Sequence, residues 1–313
     1  MNIFIKKTMQ WICTLFLISL IVFALFSVIT GDPARVMLGM QADEAQVQAL
    51  RVSLGLHRPL HVQYFGWLSN LFRGDLGASI RFRLPVIQLL IERLPVTLGL
   101  SFLALLMTLI LSIPIGTLCA RNPGGLLDRI LSVSIHTIMA IPPFISGILL
   151  TMLFGFLFSF FSVGTYAPAS ENFGVFLKSL LLPALAAALP KIATTAKFIR
   201  GSIIEEKEKE YIRTAQSHGL SDFVVLRTHV LPNAFIPVLT VLAITASEIA
   251  SGSLVVEQTF NLPGLGRLLL EGVSGRDFPL IQGIVMYTAF IIILLHLLTD
   301  ILHSRIDPRI RAD

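Results

Sequence analysis

Apolar residues in this chain come in long runs separated by short polar breaks. The first run, Trp11–Ile29, follows Lys6 and Lys7. Five more extend roughly over Leu94–Ala120, Ser132–Phe161, Leu177–Ile199, Ala234–Val256 and Leu280–His303. About 20 helical residues cross the hydrocarbon of a bilayer, so each run is long enough to span it. Lipid offers no partner to backbone N–H and C=O groups, so each run must be helical. The pattern predicts an all-α membrane protein with six transmembrane helices. Pro114, the pair Pro142-Pro143, Pro183 and Pro190 interrupt the runs. Each proline removes a donor and favours a kink. Such kinks serve packing alone or belong to helices that line a cavity, and the sequence leaves both readings open.

Three segments follow from this pattern: a first transmembrane helix over 1–30, a segment over 31–93, and a five-helix core over 94–313. The middle segment has shorter periodicities. Ala42–Leu54 places Ala45, Ala49 and Val52 on one helical face after the possible N-cap Asp43. His61–Phe72 carries Val62, Phe65, Leu68 and Phe72 at helical spacing, with Tyr64 and Trp67 suited to a membrane interface. Short helices at the membrane surface are expected there.

Charge sets the orientation. Arg121 and Arg129 flank one loop, Lys197, Arg200, Lys207, Lys209, Arg213 and Arg227 lie around another, and Arg305, Arg309 and Arg311 end the chain. The alternate loops hold only Lys178, or Arg267 and Arg276. The positive-inside rule then puts both termini and the Lys197–Arg227 segment in the cytoplasm, and 31–93 outside. The seven arginines of that long outer segment weigh little under this rule.

Composition agrees: 54% of residues are hydrophobic and 14% charged, against roughly 25% charged in soluble domains. The net charge of +5 comes without a basic patch interleaved with aromatics, which argues against nucleic-acid binding. Cys13 and Cys119 lie singly inside apolar runs, in no disulfide or zinc pattern. No His-Glu-x-x-His and no Gly-x-Ser-x-Gly supports an intramembrane enzyme, and no Gly-Lys pair supports a nucleotide-binding P-loop. A secondary transporter would show internal inverted repeats and more spans.

The most informative polar stretch is the loop at about 205–232. After the charge cluster 205–210, Tyr211 and Ala215 lie four apart on one helix face. Gly219 is placed to end that helix in a left-handed cap. Ser221 or Asp222 can cap a second helix that runs to Leu231 before Pro232. Helix, glycine turn and helix make a rigid knob between two spans.

This stretch resembles the coupling motif of binding-protein-dependent ABC importers: Glu-Ala-Ala, three residues, Gly, nine residues, Ile-x-Leu-Pro. Arg213-Thr214-Ala215 occupies the first places, Gly219 the glycine, and His229-Val230-Leu231-Pro232 the end. Arginine for glutamate and histidine for isoleucine depart from the general pattern, but Arg213-Thr214-Ala215 resembles the peptide and nickel branch. Gly31-Asp32-Pro33, Leu54–Leu60, Gly74-Asp75-Leu76-Gly77, Phe260–Gly266, Arg276-Asp277-Phe278-Pro279 and Asp307–Arg311 are similar to that branch in the same order. The resemblance covers nearly the whole chain and implies the type I importer permease fold in a bacterial inner membrane.

It also implies the partners: a second homologous permease, two ATP-binding subunits and an extracytoplasmic solute-binding protein. ATP belongs to the partner subunits, and no cofactor is expected on this chain. Glu210, Tyr211, Arg213, Thr214, Ala215, Gln216, Gly219, Leu220 and Pro232 are the expected ATPase-docking residues. Ionisable groups inside spans are expensive and are candidates for the pathway. Glu248 stands among Ser247, Ser251 and Gly252 in the fifth run. It either lines the pathway with them or pairs with a polar group on a neighbouring helix. His136 is either a packed, hydrogen-bonded side chain or a pathway group. No spacing marks a metal site. The resemblance leans toward nickel or a metal chelate as cargo and leaves di- and oligopeptides open, since Glu248 would also suit a cationic peptide terminus.

Overall fold

The computed structural model describes residues 2–29, 33–39, 42–53, 55–157 and 166–306. Its regular structure is helical, apart from an isolated bridge between Ala78 and Pro85. In chain order the helices are α1 (Asn2–Ile29), α2 (Pro33–Leu38), α3 (Glu44–Ser53), α4 (Leu60–Phe72), α5 (Val86–Arg121), α6 (Leu126–Met139) and α7 (Pro143–Leu157). They continue with α8 (Phe173–Lys207), α9 (Glu210–Ser217), α10 (Asp222–Val225), a π-helical turn (Leu226–Val230), α11 (Leu231–Thr259), α12 (Leu265–Ser274) and α13 (Phe278–Ile306). Among the described residues, five segments are long and apolar enough to cross a membrane, and α6 with α7 makes a sixth when that bent pair counts as one span.

The run Ser132–Phe161 differs from expectation. It is two helices bent by 110°, and its last residues lie outside the described ones. The break falls at Ala140–Pro142. Pro142 and Pro143 both lack an N–H, and a residue before proline is pushed out of the α region. By contrast α8 runs unbroken through Pro183 and Pro190. The helix expected to stop at Leu231 also differs: α10 passes through the π-helical turn straight into α11. The wider turn falls where Pro232 would otherwise press on the carbonyl four residues before it.

One compact unit gathers Met1–Pro95 with Pro263–Ile293. Its core joins Val86 and Leu90 of α5 to Leu265 and Leu268 of α12 and to Leu280 and Ile284 of α13. Here the two short helices α3 and α4 bury a residue off the apolar face that the sequence shows. Val47 is the buried residue of α3, while Ala45, Ala49 and Val52 are exposed. Tyr64 is the buried residue of α4, while Phe65 and Phe72 are exposed. Tyr64 needs a polar partner and finds one at 2.8 Å in Ser19 Oγ, inside a ring cluster with Phe16, Phe23 and Trp67. An apolar stripe can face lipid, so it need not face protein.

The other unit gathers Val96–Leu262 with Leu294–Asp313. Here α8 is the central helix, packed against α6, α7 and α11. Its alanines 184, 186, 187 and 188 are buried with Leu100, Ala104 and Phe260. Such small residues let helix backbones approach closely in a membrane.

Candidate functional site

The knob starts where α8 ends. Glu208 caps α8, and extended backbone at Lys209 redirects the chain into α9. His218 follows α9, and Gly219 takes a φ of +81° while its N–H bonds Gln216 O at 2.9 Å. That left-handed turn is the one the sequence predicts, because a Cβ would be strained there. Ser221 occupies the N-cap position of α10 with extended backbone, though its side chain does not bond a backbone N–H. Gln216 Nε2 reaches Asp222 Oδ1 at 3.3 Å across the turn.

Inside the knob, Ile212 is fully buried with Val225, Val230 and Ala234, against Ile199 and Ile203 of α8. Ala215 packs half-buried on the same cluster. Glu210, Tyr211, Arg213, Thr214, Gln216, Gly219, Leu220 and Pro232 are exposed. So is Phe223, at 69%, an apolar group on the knob that the motif does not include.

The knob is tied to the spans by polar contacts. The Tyr211 hydroxyl donates to the buried Glu206 carboxylate and accepts from Asn233 Nδ2 at 3.0 Å. Burial, then the bond to Glu206, raises the Tyr211 pKa above its ordinary value, so the hydroxyl stays a donor. Lys209 Nζ completes Glu206 at 2.6 Å. One residue further back, Lys207 Nζ caps the end of α5 at Ala120 O, 2.7 Å away. Two turns back along α8, Arg200 grips Asp128 of α6 with two parallel bonds of 2.7 and 2.8 Å. Asp128 is 4% exposed and also accepts from Gly124 N and Ser132 Oγ. Ser202 Oγ donates to Ala234 O of α11 at 2.7 Å. Through the last turns of α8, therefore, the knob is joined to α5, α6 and α11 at once.

Deeper in this unit, Glu248 of α11 pairs with Lys191 of α8 at 2.5 Å. The side chains are 52% and 26% exposed. Lys191 lies near the middle of α8, a helix long and apolar enough to cross a membrane, so the pair sits about midway along that candidate span. Sequence reasoning reached Glu248 and missed Lys191, although a lysine beside Pro190 inside an apolar run was itself a signal. It missed the buried Glu257 as well, whose carboxylate accepts from Thr97 Oγ1 at 2.7 Å. Ser247 is buried and bonds its own helix at Ala243 O. His136 is exposed, with Nδ1 2.6 Å from Ser132 O on its own helix, and the structure does not join it to Glu248. The Ser251 side chain and the exposure of Gly252 lie outside what the structure describes.

A bundle of membrane-spanning helices with a helical knob tied into several of them defines the class: the transmembrane component of a transport machine. The family described as the binding-protein-dependent transport system inner membrane component matches residues 112–312, its N-terminal component matches residues 1–101, and the chain belongs to this family of ABC importer permeases. A putative peptide transport system permease protein of Brucella abortus is 37% identical over 310 residues, 99% of this chain and 98% of its own. The glutathione transport system permease protein GsiC of Pectobacterium atrosepticum is 36% identical over 311 residues, 99% of each chain. Among solved structures, the MetNI methionine ABC transporter in inward-facing conformations shares the fold, with a TM-score of 0.57 over 71% of this chain and 97% of that chain at 18% identity. Members of the family are transport components, and ATP is used by separate subunits.

Proposed function

We propose that this chain forms half of the translocation pathway of an ATP-driven peptide importer. Its partners are a second permease of the same kind, two ATPase subunits and a solute-binding protein. Both termini and the knob face the cytoplasm, and 31–93 faces outward, as the distribution of lysine and arginine supports. Of the two cargo classes the resemblance implies, peptides are favoured by the names of relatives matched over nearly their full length.

One observation carries the mechanism. The knob Glu210–Val225 is continuous with α8 at one end and α11 at the other, and its Tyr211 is bonded to both. A push on the exposed face of the knob by a closing ATPase dimer therefore reaches two spans as a rigid-body movement. Glu248 and Lys191 belong to the pathway on this reading. Charges at this depth are tolerated where they face water or protein rather than lipid, and Glu248 is half exposed. Ser251 and Gly252 follow Glu248 within about one turn of α11.

The test is uptake of labelled dipeptide and of nickel by the reconstituted complex. Gly219→Val, strained at a φ of +81°, should leave the protein inserted and hydrolysis running while dipeptide uptake falls about tenfold or more. Normal uptake would sink the docking role of the knob. Glu248→Gln should slow the passage of peptide. Unchanged uptake of both cargoes would remove Glu248 from the pathway.

A further inference from the structure

In the unit of Met1–Pro95 with Pro263–Ile293, two arginines hold an unusual backbone conformation. Arg83 has a φ of +55° and Arg276 a φ of +52°. L-residues other than glycine, asparagine and aspartate rarely take this region. The same loop uses glycine where it turns left-handed at Gly74 and Gly77, and Asn261 fills the other described non-glycine position of this kind. Arginine is therefore an expensive choice at 83 and 276. Strain of this sort persists where the surrounding structure enforces it, and it gathers at functional places.

The enforcing structure is visible. Asp277 is fully buried and accepts from Ser79 Oγ, from Arg81 N at 3.1 Å and from Leu280 N at 3.3 Å. The turn that ends at Arg83 closes with Arg83 N on Ser79 O at 3.0 Å. Arg81 lies across Gly275, where a Cβ would meet its Cδ at 3.2 Å, and its Nη1 donates to Glu271 O at 3.2 Å. One buried carboxylate thus locks the 79–83 turn to the 275–277 turn. Arg83 and Arg276 are exposed, and neither side chain has an ion-pair partner among the described residues. Exposed Arg81, in the same turn, adds to this sign of charge, and the exposed Asp75 of the same loop accepts from Gly77 N at 2.8 Å.

We infer that Arg83 and Arg276 are the fixed charges of a docking platform for an acidic face of the solute-binding protein. This rests on the outward orientation proposed above. Outward-facing loops of a binding-protein-dependent permease must meet that protein, and rim charges of one sign steer encounter and suppress wrong partners. Rigid placement means that little conformational freedom is lost on docking.

The test exploits the strain. Glycine at 83 and 276 removes the charge and relieves the backbone together, so a loss of docking cannot be put down to misfolding. The complete complex, in discs of neutral phosphatidylcholine, is titrated with its binding protein while ATP hydrolysis is followed. Arg83→Gly/Arg276→Gly should need about tenfold more binding protein for half-stimulation at low salt, and the difference should shrink as salt rises. Basal hydrolysis should be unchanged and Tm equal or higher, and Arg83→Lys/Arg276→Lys should recover most of the stimulation. The proposal is overturned by a half-stimulating concentration equal to wild type at every salt. It is overturned equally if lysine fails to rescue, or if the defect appears only in discs containing anionic lipid. Failure of the wild-type complex to take up peptide would count against the proposed function instead.

Discussion

Replacing Gly116 by alanine should pry α5 from α8, whereas the same replacement at Gly201 should tighten the protein. A Cβ at Gly116 would lie 2.7 Å from Ala196 O, 2.7 Å from Ile199 Cβ and 2.8 Å from Ile199 Cγ2. Ordinary contact begins near 3.4 Å, so the helices must separate by about 0.7 Å. A backbone carbonyl and a β-carbon cannot rotate out of the way. Overpacking of this kind costs about 1–3 kcal/mol, here near the upper end. The better helix propensity of alanine returns about 0.5–1 kcal/mol, leaving a net loss of about 2 kcal/mol. At Gly201 a Cβ meets nothing within 4 Å. Only the propensity gain remains there, about 0.5–1 kcal/mol in favour of alanine. Cys119 supplies the assay. It is buried with Ala193 and Ala196 of α8, while Cys13 is exposed. In a Cys13→Ser background, a maleimide dye reports when Cys119 is uncovered. Gly116→Ala should label about 30-fold faster than the background protein and Gly201→Ala more slowly, where labelling follows the open population. A Gly116→Ala protein that labels no faster than its background would refute the claim of close packing.

Two further expectations concern the polar ties of the knob. Tyr211→Phe removes a bond to buried Glu206 and one from Asn233, which should cost about 1–3 kcal/mol. The Tyr211 pKa is raised in the fold, so the stabilisation is fully present below the unfolded value near 10 and is lost as pH rises through the folded value. Unfolding followed against pH should therefore show wild type and Tyr211→Phe converging in strong alkali; a constant gap would contradict this. Arg200→Met leaves Asp128 with only Gly124 N and Ser132 Oγ, which should cost about 3 kcal/mol, the low end for a broken buried pair because Arg200 is partly exposed. Adding Asp128→Asn should return most of that, and a double variant as unstable as Arg200→Met alone would show that the charge pair is not the cause.

The number and type of the spanning elements, and the glycine turn of the knob, were legible in the sequence because their causes are local. A backbone in lipid must bond to itself, so a long apolar run declares a helix wherever it stands. Gly219 declares a left-handed cap because few other residues tolerate that backbone. Pro142-Pro143 declared a kink, although the bend reached 110°. The tertiary structure decided everything that depends on which face meets which neighbour. Val52, Phe65 and Phe72 lie on apolar helix faces that the sequence shows, and only the packing shows that these faces are exposed, since an apolar stripe can be solvated by lipid as well as by protein. Asp128 with Arg200, and Glu248 with Lys191, are separated by 72 and 57 positions, and no periodicity couples residues that far apart. A charge in an apolar run shows in the sequence that a partner must exist. Only the packing of α8 against α6 and α11 determines which partner it is.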